Sequence, residues 1–363
     1  MKIAEVRIDA SILEKHDPEW RFALAASPQS QGWVCSIIAE DGTVGYGYGS
    51  AMAHYGAPLE AVKANLDRFT KLLIGQDSRK ISAILDELDH NVVGNNQAKS
   101  AIDCALHDLL ARRLGVPICE LFGGPAVTEF SSLRILPIKS PEKMAANARK
   151  LVNEGVKHLK IKVHGNVKED VACVAAIREE VGKDIHLTID ANQSYTVKSA
   201  ITAIRMMEPF NIELAEQPVP AGDLYGLKKV TDAVSIPVEA DEAAYSLEQI
   251  TTIVRERIAD AVSLKLSKIG GLRKTYAAAM ICEAGGVKYR MGAHSGPRLL
   301  PAHASQLAAA LPGIWYSSEL TEFEGLINDP WEGLQLEDGV LKIGDAPGCG
   351  VTPKASSGLP RKN

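Results

Sequence analysis

Apolar and polar positions follow two rhythms that change near residue 125. In the first, Lys2 to Ala10 alternates, Gly32 to Ala39 forms a second alternating run, and Asp41-Gly42 is a hairpin signal leading into Thr43-Val44-Gly45-Tyr46-Gly47. Three helical stripes follow. Leu59 to Ile74 carries Leu59, Val62, Leu66, Phe69 and Leu73 on one face and stops at Gly75; Ser78 to Asp89 carries Ile81, Ile84, Leu85 and Leu88; Gln97 to Leu114 is closed by Gly115 and Pro117. The pattern predicts a small α+β domain over residues 1–125, bounded by Gly123-Gly124-Pro125. Between its first two strands lies an uneven loop, Glu14 to Gln31, with Trp20 and Phe22; Tyr46, Tyr48, His54 and Tyr55 form a second aromatic patch. Each reads either as packing or as a lid over a substrate.

In the second rhythm, short apolar runs each end in charge: Leu159-Lys160-Ile161-Lys162-Val163, His186 to Asp190, Ile212 to Glu216, Ile236 to Asp241, and Ala261 to Lys265. From Lys162 the steps are 28, 26, 25 and 24 residues, about what a strand, a helix and two short loops require. Helix-like segments lie between, such as Val167 to Val181, with Val171, Val174, Ala175 and Ile177 on one face. The repeat predicts a parallel β/α barrel over 126–319, with its chemistry at the C-terminal ends of the strands. Strand one is expected at Glu129 to Pro137, strand seven at Val287 to Met291 ending at Ala293-His294, and strand eight at Ile314 to Tyr316 ending near Glu319. Residues 320–363, with a hairpin at Leu334 to Ile343 around Asp338-Gly339, are expected to return to the first domain and to fray from Lys354 onward.

Length agrees with two domains, since 363 residues exceed by roughly a hundred the ~250 of a minimal barrel. Hydrophobic content of 46% and charged content of 23% fit a soluble globular chain, and a net charge of −5 without a basic block excludes a nucleic-acid footprint. The six cysteines show no CxxC, so they read as buried thiols in a reducing compartment. Met1 to Val6 reads as a strand rather than a signal peptide, and no apolar run approaches ~18 residues; a cytoplasmic protein without membrane partners is expected.

If Lys162 ends strand two, then Asp190, Glu216, Asp241 and Lys265 end strands three to six, and two amines face each other across three carboxylates. Three oxygen ligands suit a hard divalent cation, Mg²⁺ above all, completed by water and substrate oxygens; otherwise they are barrel salt bridges or helix caps. Glu239 and Glu242 flank Asp241 as competing ligands, and alternation is expected to set Asp241 on the opposite face from its neighbours, so that only one points inward. Lys160 and Lys162 share a face, and a neighbouring cation disfavours a protonated amine, as a lysine base requires. Lys265 would be helped by desolvation. The alternative is that these lysines snorkel outward or serve as structural bridges. Lys268 reads as loop or helix start.

Five motifs, Lys160-Ile161-Lys162, Asp190-Ala191-Asn192-Gln193, Glu216-Gln217-Pro218, Ala240-Asp241-Glu242 and Lys265-Leu266-Ser267-Lys268-Ile269-Gly270-Gly271, together resemble the enolase superfamily, in particular its muconate-lactonizing-enzyme group. The resemblance spans nearly the whole chain. It implies a (β/α)₇β barrel with an N-terminal α+β capping domain, Mg²⁺ on Asp190, Glu216 and Asp241, acid/base roles for Lys162 and Lys265 with Lys160 in support, and Glu319 near the substrate carboxylate. Lys265 occupies the position of the aspartate that mandelate-racemase-like members pair with a strand-seven histidine. His294 is therefore expected to bind substrate or shape the pocket, or else to be a satisfied loop histidine. Arg298 would pair with a second acidic group of the substrate or form a helix-start salt bridge, while Trp20 and Tyr55 would supply capping-loop contacts. Glu319-Leu320-Thr321 stands where dipeptide epimerases of the group carry Asp-x-Asp, which disfavours a dipeptide. A homo-oligomer is expected by analogy.

The implied chemistry is Mg-dependent removal of the α-proton of a small carboxylate through an enediolate, the route this superfamily takes, giving racemisation or epimerisation of an amino-acid-type substrate by two opposed lysines. Cycloisomerisation of a muconate-like diacid and dehydration of a hydroxy acid are the alternatives within that chemistry. A barrel that binds metal and carboxylate without catalysis is the alternative outside it.

Overall fold

A computed structural model describes residues 1–292 and 294–361. Among them, seven parallel strands form one curled sheet in chain order: Leu133–Leu136, His158–Lys162, His186–Asp190, Ile212–Glu216, Val238–Ala240, Ala261–Leu264 and Lys288–Met291. Helices follow the strands, and polar caps define where several begin. Ser140 accepts from Lys143 N, Thr196 and Ser199 form a capping box, Asp223 accepts from Gly226 N and Ser246 from Gln249 N. Each cap ends the turn that leaves a strand, so the strand-end side chains are presented on fixed backbone. The expected helix Val167–Val181 and the strands at His186–Asp190 and Ile212–Glu216 have the predicted bounds.

Barrel closure departs from expectation. Ile314 to Tyr316 is not a regular strand: Ile314 forms a single parallel bridge with Tyr289, and Tyr316 sits at φ +65°, which interrupts an extended run. Hydrogen bonds to both neighbours close the gap instead. Trp315 N donates to Tyr289 O and Glu319 N to Met291 O (2.8 Å each), while Ser317 Oγ donates to Ser131 O (2.6 Å) and Thr321 Oγ1 to Leu133 O (3.2 Å). Strand one is also shorter than predicted. Glu129–Ser131 pairs with Val340–Lys342, the second strand of the tail hairpin, whose turn residues Asp338 and Gly339 have φ +48° and +73°.

At the N-terminal end, Ile3–Glu14, Gln29–Ala39 and Val44–Ser50 form an antiparallel sheet. Helix Asn96–Leu114 lies so close to it that a Cβ on Gly45 or Gly47 would fall 2.2 Å from Ala105 O or 1.9 Å from Ala101 O, and this contact explains the Gly-Tyr-Gly-Tyr-Gly run. The loop expected over Glu14 to Gln31 is shorter, because both strands extend into it and Arg21–Phe22 pairs with Ala25–Ala26. The tail is not frayed at Lys354. Lys354 N donates to Pro330 O (2.8 Å), Ala355–Ser357 is a 3₁₀ turn, and Tyr46 Oη donates to Pro360 O (2.6 Å). Ala293, expected at the end of strand seven, and the last two residues of the chain lie outside the described residues. All six cysteines are buried thiols, and no described helix is long and apolar enough to cross a membrane.

Candidate active site

Strand alternation turns Lys160 and Lys162 to the barrel interior together, where both are buried. Lys160 Nζ donates to Glu216 Oε2 (3.0 Å) and Glu319 Oε1 (2.6 Å) and lies 3.3 Å from Asp190 Oδ2. Lys162 Nζ donates to Asp190 Oδ2 (2.5 Å) and Asn192 Oδ1 (2.9 Å). From the other side, Lys265 Nζ donates to Asp241 Oδ2 (2.5 Å) and lies 3.9 Å from Glu216 Oε1. The structure thus brings together the five strand-end charges, with Lys162 and Lys265 lining one cavity from strands two and six.

The electrostatics show how tightly the cluster is coupled. Burial works against the charged form of Lys160, but Glu216, Glu319 and Asp190 outweigh it and hold the amine well above its usual range. The carboxylates around Lys160 thus favour its charged form, beside Lys162. Lys265 corrects the expectation of a desolvated, weakened ammonium: burial pushes down, yet Asp241 and Glu216 raise its pKa overall. Burial likewise opposes ionisation of Asp241, while Lys265 and Lys268 hold it well below the carboxylate range. Glu216 is pushed up by burial and by Asp190. The carboxylates are close enough to repel one another, and only cations keep them charged.

Glu239 requires a correction. It lies two residues before Asp241, hence on the same face, and both point inward, Glu239 deeper. There Arg290 Nε donates to both Glu239 oxygens (2.9 and 3.1 Å) and Arg290 Nη2 to Glu239 Oε2 (2.8 Å) and Glu216 Oε2 (2.7 Å), with Nη1 2.8 Å from Glu319 Oε1. A carboxylate clamped by a guanidinium is not free to ligate a metal. Glu242 turns aside to accept from Asn192 Nδ2 (3.1 Å), and burial followed by Asp241 pushes its carboxyl up to about 7.

Asp190, Glu216 and Asp241 fit a hard divalent cation by chemistry and by one further observation: Glu216 Oε1 is buried without a hydrogen-bond partner. A second buried group, Asp108, His303 and Cys349, has its possible ligand atoms within 4.8 Å of one another. It fits a cation poorly, because Asp108 already accepts from Arg112 Nε (2.8 Å), Tyr46 N (2.9 Å) and Cys349 N (2.7 Å).

The cavity above the carboxylates, about 210 Å³, is walled by the capping segments. Trp20, Tyr55 and His294 all line it; Tyr55 lies 5.4 Å from the His294 ring, and Phe22 is 5.4 Å from His54. Both ring nitrogens of His294 are buried without partners, and burial followed by Lys265 holds it far below the ordinary histidine range, so it is a neutral pocket wall. Tyr46 turns away to pack on Trp331 at 5.2 Å. Arg298 lies outside the cavity: it stacks over Phe323, approaches Glu324 at 3.5 Å and donates to Gly333 O, which leaves it a structural contact to the tail.

Sequence reasoning missed several residues. Lys268, expected at a loop or helix start, lies in the short helix Leu266–Ile269, and the feature missed is its full burial, with its amine donating to Asp241 O, Asp241 Oδ1 and Ser263 O at 2.7 Å each. Gln217, at φ +34°, accepts from Asp241 N and Ala243 N and so fixes the Asp241 turn. Arg290 was detectable as a charge at an inward-facing position of strand seven, and Asn192 as the polar residue two beyond Asp190.

Residues 143–357 match the family described as enolase C-terminal domain-like, and residues 7–123 the mandelate racemase / muconate lactonizing enzyme N-terminal domain. The chain belongs to the mandelate racemase / muconate lactonizing enzyme family. Among its relatives in that family, a hydrophobic dipeptide epimerase from Enterococcus faecalis is 33% identical, over 97% of this chain and all of that one. An N-succinyl-L-Arg/Lys racemase from Bacillus cereus is 33% identical over 80% of each chain, and a chloromuconate cycloisomerase from Delftia acidovorans 30% identical over 88% and 89%. A solved dipeptide epimerase structure from E. faecalis, complexed with Mg and L-Leu-L-Tyr, superposes with a TM-score of 0.93 at 33% identity, over 97% of this chain and 100% of that one. Family membership makes this chain an isomerase of the enolase superfamily with a (β/α)₇β barrel.

Proposed function

We propose that this isomerase racemises or epimerises the α-carbon of an amino-acid-type carboxylate, using Lys162 and Lys265 on opposite faces of the substrate. The observation that carries the reading is the arrival of two buried amines in one cavity from strands two and six, across Asp190, Glu216 and Asp241. Asp190, Glu216 and Asp241 would hold Mg²⁺, which when bound supplies positive charge opposite an enediolate. Glu319, with Lys160 and Arg290 on one oxygen, lies at the cavity wall as part of the pocket lining.

In one direction Lys162 takes the α-proton; Lys265, held protonated by Asp241, returns a proton to the opposite face, and configuration inverts. In the reverse direction the roles exchange. The positive charge of Lys160 acts on the same side as Lys162 and favours the anion formed when the proton leaves. Trp20, Phe22 and Tyr55 line the cavity with aromatic surface, and a less aqueous surround strengthens each of these interactions.

The epimerase and racemase relatives support an amino-acid-type substrate. The cycloisomerase relative supports a second reading, cycloisomerisation of a muconate-like diacid with one lysine acting as acid. The deciding experiment is mass spectrometry of deuterium incorporation at the α-carbon in D₂O with Mg²⁺, across N-acylated amino acids, dipeptides, hydroxy acids and muconates. Exchange with inversion supports the racemase reading, and conversion of a muconate without α-exchange replaces it. If no panel member exchanges, the two-lysine assignment falls.

A further inference from the structure

The antiparallel sheet of the N-terminal domain runs in the order Ile3–Glu14, Gln29–Ala39, Val44–Ser50, so its first strand is an edge. Register shows which backbone groups that edge offers. Lys15 N donates to Pro28 O, and the same register pairs Asp9 with Val34 and Arg7 with Ser36, so the odd-numbered residues direct their backbone groups to the neighbouring strand. The even-numbered ones turn outward. Glu14 agrees, since its carbonyl accepts from Ile327 N on the outer side, while Gly75 and Gln76 cover the other end of the edge at Ile3. Between these covers, Val6, Ile8, Ala10 and Ile12 have no outward backbone pairing among the described residues.

An open edge of this length recruits other strands unless lysine, proline or repelling charge blocks it. No lysine or proline stands between Ala4 and Leu13. The even-numbered side chains Ala4, Val6, Ile8, Ala10 and Ile12 are all apolar: Val6 and Ile8 pack at the margin of the capping-domain core, whereas Ala4, Ala10 and Ile12 are exposed. On the other face Arg7 and Asp9 flank Ile8 with opposite signs. Arg7 Nη2 reaches Asp9 Oδ1 at 3.3 Å, and the second oxygen, Asp9 Oδ2, has no hydrogen-bond partner. Charges of one sign would repel a second copy of this edge; a plus and a minus two residues apart are self-complementary.

We propose that this edge is an interface for a second copy of the chain, which pairs antiparallel about a two-fold axis at Ile8 and joins the two three-stranded sheets into one. Ile8 then meets the partner's Ile8, and Val6 the partner's Ala10, as hydrogen-bonded pairs of outward-facing residues. Arg7 meets the partner's Asp9 in the closer, non-hydrogen-bonded pair, and the symmetry repeats the contact. Ile12 covers the partner's Ala4, so the apolar strip runs on across both chains. The charges also fix the register. An axis at Arg7 would set the two arginines opposite each other, and one at Asp9 the two aspartates.

The test is sedimentation equilibrium of the full chain, with circular dichroism melting to verify that each variant folds. Wild type should have at least twice the 39.0 kDa of one chain. Arg7→Asp, which leaves two acids on the edge, and Asp9→Arg, which leaves two bases, should each halve the mass of the wild-type assembly. Mixed in equal amounts, the two variants should regain it, because each acidic edge then meets a basic one, although neither chain has recovered its own Arg7–Asp9 contact. Ala10→Lys, at an exposed site on the apolar strip, should also halve the mass. A monomeric wild type, an undiminished mass in the folded single variants, or a mixture that stays dissociated overturns the proposal.

Discussion

Two buried charge clusters in this chain are built from the same kinds of residue and differ in closure. Around Asp108, Arg112 Nε, Tyr46 N and Cys349 N fill the carboxylate, and Arg112 Nη2 goes on to Val351 O at 2.7 Å. This node stitches helix Asn96–Leu114 to the tail and leaves neither Asp108 oxygen without a donor. At the barrel mouth, by contrast, Glu216 Oε1, Glu242 Oε2 and both nitrogens of His294 are buried without partners, amid four lysines and an arginine. Evolution tolerates open acceptors where something else is to arrive. The contrast lies in the carboxylate oxygens, since His303 Nε2 beside Asp108 is also buried without a partner.

The largest effect that tests this contrast is at the open cluster. Lys162→Ala and Lys265→Ala should each lower kcat/KM for the racemised substrate by about 10²- to 10⁴-fold. α-Deuterium exchange resolved by starting enantiomer should show each variant losing proton removal from one face first. Retention of full exchange by both would remove the lysines from the mechanism.

The closed cluster should respond in the opposite sense. Arg112→Leu leaves the Asp108 charge buried without its cation and should cost about 3–5 kcal/mol of stability, read from urea unfolding. Turnover per folded molecule should stay within twofold of wild type. If the same change lowered turnover tenfold with stability intact, the Asp108 node would belong with the functional cluster.

Much of this contrast is legible in the sequence, and the illegible part has a physical cause. The 3.6- and 2-residue periods and the regular recurrence of strand-end charges give the barrel and its five central side chains, because those signals are local. Closure is not local. Glu239 and Asp241 share a face by alternation, but only the position of Arg290, 51 residues away from Glu239, shows which carboxylate is clamped. Lys268 reads as loop or helix start and does lie in the short helix Leu266–Ile269, but nothing local signals that three oxygens hold its amine. The eighth strand was overestimated because apolar Ile314-Trp315-Tyr316 looks extended, while Tyr316 adopts a positive φ.

A smaller effect should come from Mg²⁺ itself. A ligand that binds only the folded chain stabilises it by about 2.7 kcal/mol at a hundred times its Kd, so Mg²⁺ should raise the melting temperature of the substrate-free protein. Glu216→Gln should abolish that rise. Asp108→Asn, which alters the closed cluster, should lower the melting temperature yet keep the Mg²⁺ increment. An increment lost at Asp108 and kept at Glu216 would reverse the assignment of the two sites.

The smallest effect lies at the opposite end of the barrel, where His158 and His186 begin strands two and three with rings stacked at 4.4 Å and 11°. His186 Nδ1 lies 2.7 Å from Glu213 Oε1, whereas His158 Nδ1 is buried without a partner. Burial, followed by the charge of His186, lowers His158 to about 4 from an ordinary 6.5. The unfolded chain therefore takes up this proton below pH 6.5 while the folded chain resists until about 4. The folded state loses stability as pH falls through that window, and none is lost above it. His158→Phe keeps the stack and removes the proton, so its melting temperature should fall less than that of wild type between pH 7 and 5. An equal fall in both would place the acid sensitivity elsewhere, and the open acceptors at the mouth would be the next groups to examine.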